Sequence, residues 1–276
     1  MGKLEVLCTT MRQNDFRLYE RMNLRSDAVF ANQCEKTCVE ETNIDGNRVR
    51  MISTETRGVG KNRNISLLYA QNEILLFADD DMKYSDSYEA DILSEFEKHP
   101  DADVFIFNIH SNNDERQQEQ NKKTRKLNFL SRLPYGAPRI AIRKDAWERS
   151  NVWFTPLFGG GTKYTSGEDS IFLNDLRRAG LTMYVSSIDI GEANMDTSSW
   201  FTGKNEEYYF NKGAFCAAEH PRFLSVWKLY YCIRIKADLS LKNKLASFEK
   251  GVAGFKTGRS FADFAREKAE NEKRKT

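Results

Sequence analysis

Apolar residues along the chain gather into short runs separated by mixed polar stretches. Segments 4–10 (LEVLCTT), 27–33 (DAVFANQ), 49–55 (VRMISTE), 73–78 (EILLFA), 102–110 (ADVFIFNIH) and 181–186 (LTMYVS) each have strand length, and 139–144 (RIAIRK) alternates as a half-buried strand does. Helical spacing fills the gaps. Phe16, Leu18, Tyr19 and Met22 fall on one face of a segment over 14–26, and a compact helix over 63–72 turns Ile65, Leu68 and either Leu67 or Tyr69 inward. A further helix over 88–100 stops near Pro100, and another over 168–179 turns Ile171, Phe172 and Leu176 inward and ends at Gly180. Short strands alternating with helices predict an α/β fold, a mostly parallel central sheet with helices on both faces. In such sheets ligands collect beyond the carboxyl ends of the strands.

Two stretches break the alternation. Residues 111–128 (SNNDERQQEQNKKTRKLN) are almost devoid of apolar side chains and read as an exposed excursion, and Gly159–Gly161 make a flexible loop. Charge then divides the chain. Residues 222–276 hold 14 Lys/Arg against 6 Asp/Glu, a net of +8 inside a total of +2, which leaves residues 1–221 at −6. An acidic first part argues against nucleic acid as a partner. The expected organisation is a catalytic domain over 1–221 and a basic, helical C-terminal extension over 222–276.

The five cysteines (Cys8, Cys34, Cys38, Cys216 and Cys232) are odd in number and contain no CxxC pair, as expected for free thiols in a reducing compartment. The start MGKLEVLCTT has too short an apolar run for a signal peptide, and Val6 stands where a myristoylation signal wants Ser or Thr. No stretch is long and apolar enough to span a bilayer. The localisation expected from this is cytoplasmic.

Candidate chemistry begins with ILLFADDDM, three consecutive carboxylates directly after a buried-type strand. A solvated turn tolerates them; so does a divalent cation. In extended backbone alternate side chains share a face, and a hard cation such as Mg²⁺ or Mn²⁺ takes oxygen ligands and keeps bonds to substrate phosphates. The second candidate is GEDSIF, where Glu168 and Asp169 open a helix. Carboxylates are favoured in a helix's first turn on electrostatic grounds alone, and one of them could equally serve as a general base.

Taken together and in order, VLCTTMRQND, RGVGKNRNISLLYAQNEILLFADDDM, GEDSIFLNDLRRAG and DTSSWFTGKNEEYYFNKGAF resemble the inverting glycosyltransferases of family 2, which have the GT-A fold, in particular bacterial members that build surface or capsular polysaccharides. The resemblance runs from about Leu4 to Phe215. It implies a metal-dependent transfer of a sugar from a nucleotide-diphosphate donor, a UDP-sugar first among them, to a hydroxyl of a glycan or lipid-linked saccharide. On that resemblance Asp81 is a ligand of Mn²⁺ or Mg²⁺, with Asp79 as a second ligand. Asp79 and Asp80 contact the ribose or donor sugar, Asp169 is the catalytic base, and Glu168 positions the acceptor. Thr9, Thr10, Arg12, Asn32 and Gln33 line the nucleoside pocket, and Arg57, Lys61 and Arg63 bring positive charge to the phosphates. The mechanism implied is one in-line displacement with inversion. Family members often add a late histidine to the metal, for which His220 is the candidate here. Trp200 and Phe201 offer a platform for a sugar ring.

The C-terminal extension mixes aromatic and basic residues, a composition suited to helices packed on the catalytic domain and also to peripheral contact with an anionic membrane. Two rivals come from other classes. One is a catalytically inactive sugar- or nucleotide-binding scaffold on the same fold, against which the intact DDD and GEDS stand. The other is a nucleotidyltransferase, which would carry a Gly-rich phosphate loop where this chain has TTMRQND.

Overall fold

The computed structural model describes residues 3–111, 120–194 and 203–273. The chain forms two compact units, residues 1–155 with 169–198, and residues 156–168 with 199–276.

The first unit is built on a ten-stranded sheet. Its strands are β1 (Leu4–Met11), β2 (Asp27–Gln33), β3 (Cys38–Ile44), β4 (Asn47–Thr54), β5 (Ile74–Asp79), β6 (Met82–Tyr84), β7 (Val104–Ser111), β8 (Arg125–Lys126), β9 (Ile140–Arg143) and β10 (Met183–Ala193). The order is β3-β4-β2-β1-β5-β9-β7-β10-β6, with β8 paired to β10. β4, β2, β1 and β5 run parallel, as do β7 and β10, while β9 lies antiparallel between β5 and β7. Successive residues of a strand face opposite ways, and here both faces are covered. Val6, Phe30, Leu76 and Phe105 pack on one side with Tyr88, Ile92 and Phe96. Leu7, Val29, Phe77 and Ile106 pack on the other with Leu67, Phe172 and Leu176. Helices α1 (Leu18–Arg21) and α3 (Tyr88–Lys98) belong to the first face, and α2 (Val59–Tyr69), α4 (Lys144–Ser150) and α5 (Glu168–Arg178) to the second. The mostly parallel α/β architecture is as the sequence predicts.

Several elements differ from expectation. β3 was not foreseen because its side chains, with Glu40 and Glu41 outward, show no apolar run. It is a charged edge strand, joined to β4 by Asp45-Gly46, both at positive φ (51° and 85°), as a tight hairpin turn requires. Helix α2 begins at Val59, four residues earlier than expected, after Gly58 at φ 112°. Leu68 is outward on it, 67% exposed, and Leu67 is the buried residue. β10 runs on to Ala193 and receives β6 as an antiparallel partner. Within the polar excursion the described residues are anchored: Asn108 Nδ2 donates to the Asn121 carbonyl (3.0 Å), Thr124 Oγ1 donates to Glu95 (3.1 Å), and Arg125–Lys126 pair with β10.

The second unit contains α6 (Glu206–Glu219), α7 (Leu224–Leu229), a π-helical turn over Tyr230–Arg234, α8 (Leu241–Thr257) and α9 (Phe261–Lys273). Helix α6, counted with the sheet in the sequence reading, therefore groups with the basic helices. Gly213 on α6 and Gly251 on α8 let the two backbones touch. A Cβ at Gly213 would lie 2.0 Å from the Phe248 carbonyl oxygen, and one at Gly251 would lie 1.9 Å from that of Phe210. Asn205 and Ser240 cap α6 and α8 by accepting from the backbone N–H of Tyr208 and Asn243.

Candidate active site

The parallel register brings the carboxyl ends of β1, β2, β4 and β5 level. Thr9 lies beside Asp79, Thr10 beside Asn32, and Asn32 beside Ser53. Thr9 Oγ1 donates to Asp79 Oδ1 at 2.9 Å, and Thr10 Oγ1 donates to Asp80 Oδ2 at 2.6 Å. Two residues of the triple aspartate are thus fixed by the hydroxyls that end β1. Asp79 closes β5, and Asp80 and Asp81 form the turn into β6.

Asp81 is treated differently. Its environment raises its pKa to about 7, first through burial and then through the charges of Asp79 and Asp80. The Asp81 carbonyl accepts from the Asn194 backbone N–H at 2.9 Å, which ties the turn to the end of β10. The same three aspartates, after burial, help push the Cys8 thiol well up, so that buried thiol stays protonated.

Arg63, on α2, is the cation of the site. Its side chain is 3% exposed, and it donates from Nη2 to Asp79 Oδ1 at 3.1 Å and from Nη1 to Asp169 Oδ1 at 2.6 Å. Asp79 and Asp169 keep 34% and 23% of their side-chain surface exposed, so each reaches solvent from a buried tether. The Arg63 guanidinium also lies 5.3 Å from the ring centre of Phe154, which stacks on Phe172 of α5 at 3.8 Å. Phe172 is one helical turn after Asp169, so the stack that supports Arg63 also holds the helix carrying Asp169. Asn64 grips the same segment, with Nδ2 donating to the Phe154 carbonyl and Oδ1 accepting from its N–H.

The remaining candidates fall into distinct places. Asn32 is fully buried. It accepts from the Gln13 N–H at 3.0 Å and donates to Ser53 at 3.0 Å, so it shapes the loop after β1 from beneath. Gln33 accepts from the Gly58 N–H ahead of α2. Arg12 is exposed at positive φ (54°) at the end of β1. Arg57 is turned toward Glu35 and the carbonyls of Cys34, Glu55 and Thr56, and Lys61 is exposed. Glu168 opens α5 and counts with the second unit. His220 is also in that unit, stacked on Trp227 at 4.7 Å. Trp200 and Phe201 lie outside the described residues.

Two contributors were not foreseen. Gln13 donates from Nε2 to Thr10 Oγ1, and Asn62 donates from Nδ2 to the Ala31 carbonyl at 2.6 Å, so both hold the strand ends. Lys212, in the second unit, has its ammonium 5.3, 5.9 and 5.8 Å from the ring centres of Tyr208, Phe215 and Tyr231. Burial pulls its pKa down, opposed by the charges of Cys216 and Glu168. Polar residues in loops and between helical apolar positions carry no periodic signal.

Among the described residues, no cluster of three or more His, Cys, Asp or Glu side chains is disposed to enclose a metal ion. That donor set does not suit a closed protein-only site. It does suit Mg²⁺ or Mn²⁺ held by one or two carboxylates and completed by substrate phosphates and water. Asp79 and Asp80 are already hydrogen-bonded, so Asp81 is the carboxylate with most to gain from a cation.

The sheet has the mostly parallel topology of a GT-A fold, with carboxylates and a buried arginine at the carboxyl ends of its parallel strands. Residues 32–155 match the family model for glycosyl transferase family 2. Solved structures agree on the fold. The structure of S. aureus TarS 1-349 in complex with UDP-GlcNAc superposes with a TM-score of 0.57 at 19% identity, covering 92% of this chain and 71% of that one. S. aureus TarS 1-349 alone gives 0.53 at 18% identity, over 92% and 72%. The longer S. aureus TarS structure gives 0.56 at 18% identity, over 95% of this chain and 44% of that one. Among curated protein sequences none matches.

Proposed function

We propose that this chain is a metal-assisted, inverting glycosyltransferase that moves a sugar from a UDP-sugar to a hydroxyl of a glycan or lipid-linked saccharide. The observation that carries the reading is the Arg63 bridge, which tethers Asp169 and Asp79 through one buried guanidinium. A general base has to be held where it meets the attacking hydroxyl, and the guanidinium holds the Asp169 carboxyl in place. Asp169 takes that hydroxyl's proton. Thr9 and Thr10 fix Asp79 and Asp80 against the ribose or donor sugar, with Gln13 bracing the loop after β1. Asp81, with Asp79, would hold Mg²⁺ or Mn²⁺, which when bound offsets the charge developing on the leaving diphosphate. Glu168, next to the base in sequence, orients the acceptor, and the reaction passes through one displacement without a covalent intermediate.

UDP-GlcNAc, the ligand of the TarS complex that shares this fold, is the first donor to try. The acceptor reading places the enzyme in the cytoplasm, at the inner face of the cell membrane, in the assembly of a surface or capsular polysaccharide. The experiment is a panel of UDP-, GDP- and TDP-sugars with Mn²⁺, followed by proton NMR of the released or transferred sugar. The reading predicts turnover of a UDP-sugar with the opposite anomeric configuration in the product. Retention of configuration would refute the role given to Asp169. Intact sugars across the panel, with nucleotide still bound, would favour the scaffold.

A further inference from the structure

In the second unit, residues Pro221–Arg234 run as a 3₁₀ turn, then α7, then the π-helical turn. One side of this segment is packed: Leu224, Trp227, Tyr231 and Cys232 join the cluster of Tyr209, Cys216 and Phe248. The other side carries Phe223, Val226, Leu229 and Ile233, which are 62%, 64%, 59% and 60% exposed. Steps of three and four residues keep these four on one helical face. Four large apolar side chains left this exposed together mark a contact surface. Cations surround them. Arg222, Arg234, Lys236 and Lys242 are exposed, and Asp238 is the single acidic residue in the sequence from 221 to 244.

We propose that this face docks on an anionic lipid bilayer, with the four apolar side chains entering the acyl boundary and the basic residues at the headgroups. Charge selects that occupant. A second copy of the chain would bring the same cations against these and be repelled. A nucleic acid would satisfy the cations but offers no apolar phase for Phe223, Val226, Leu229 and Ile233. An anionic bilayer supplies both. The contact proposed is peripheral; no described helix is long and apolar enough to cross a membrane. The inference rests on the transferase reading only for its purpose, which is to hold the enzyme beside a lipid-linked acceptor.

The test is co-sedimentation with vesicles of phosphatidylcholine alone or mixed with phosphatidylglycerol. It compares the full chain with two variants, Phe223→Ser/Ile233→Ser and Arg222→Gln/Arg234→Gln. All four positions are exposed, so circular dichroism and UDP binding serve as controls for folding. Wild type is expected to pellet with the anionic vesicles and to be released by salt, and each variant to bind about tenfold more weakly. Absence of binding to anionic vesicles, or variants that bind as wild type does, would overturn the proposal. An oligomer dissolved by the serine variant would also overturn it, since a second copy would then cover the face. UDP binding is read separately, so a folded protein that binds UDP but no vesicle loses this inference and keeps the transferase reading.

Discussion

Arg63 and Asp169, separated by 106 residues in sequence, meet through a hydrogen bond of 2.6 Å from Nη1 to Oδ1. The contact joins the helix after β4 to the helix that follows the glycine loop, and the second arm of the same guanidinium reaches Asp79. Lysine has one charged nitrogen and cannot span both carboxylates in this planar fork. Arg63→Lys is therefore expected to lower kcat about 100-fold through misplacement of Asp169, the proposed base. Thermal unfolding should show a loss of about 1–3 kcal/mol. Near wild-type turnover in that variant would mean that the bridge is packing and not positioning.

Asp169→Asn keeps the shape of the side chain and a weaker contact with Arg63 but cannot accept a proton. We expect kcat to fall about 10²–10⁴-fold with donor affinity little changed. Comparing single-turnover rates with nucleotide titrations on this variant separates the two effects.

The pKa of Asp81, raised to about 7 in the folded chain, ties stability to pH. A carboxyl held more tightly protonated when folded contributes stability that is present below its ordinary value near 4 and is lost as pH rises toward 7. Metal-free protein is thus expected to show a Tm component that declines between about pH 4 and 7, absent in Asp81→Asn. Added Mn²⁺ with UDP should restore more Tm at pH 8 than at pH 5, because cation and proton compete for the same oxygens. Scanning calorimetry across that range reads both.

Gly213 and Gly251 define the packing of α6 on α8. Since a Cβ at either would sit about 2 Å from a facing backbone oxygen, alanine cannot be absorbed by rotamer change. Each substitution is expected to cost about 3 kcal/mol or more and to be seen as loss of helical signal at lower temperature. A wild-type Tm in Gly213→Ala would show that the two helices have room to separate.

Much of the first unit was legible in the sequence because its strands are buried on both faces and so appear as unbroken apolar runs, as in Leu75, Leu76 and Phe77. β3 was not, because an edge strand with outward Glu40 and Glu41 lacks that pattern. The boundary of α2 was missed for a different reason: Val59, Gly60 and Asn62 are buried by contacts that no helical periodicity announces. In the site, Asp79 stood out as the end of an apolar strand, Thr9 and Thr10 entered through the family resemblance, and the parallel register sets Thr9 beside Asp79. The bridge from Arg63 to Asp169 was not, because a pairing across 106 residues leaves no local mark. Nor was the fate of Arg57, expected to bring charge to donor phosphates but turned to Glu35 and backbone carbonyls.

The central claim is most directly tested by isothermal titration of UDP-GlcNAc into the wild type and Asp81→Ala, each with and without Mn²⁺. The account predicts binding to wild type that strengthens at least tenfold with Mn²⁺, and no metal effect in the variant. Equal binding with and without the metal, or a metal effect that survives in Asp81→Ala, would contradict it.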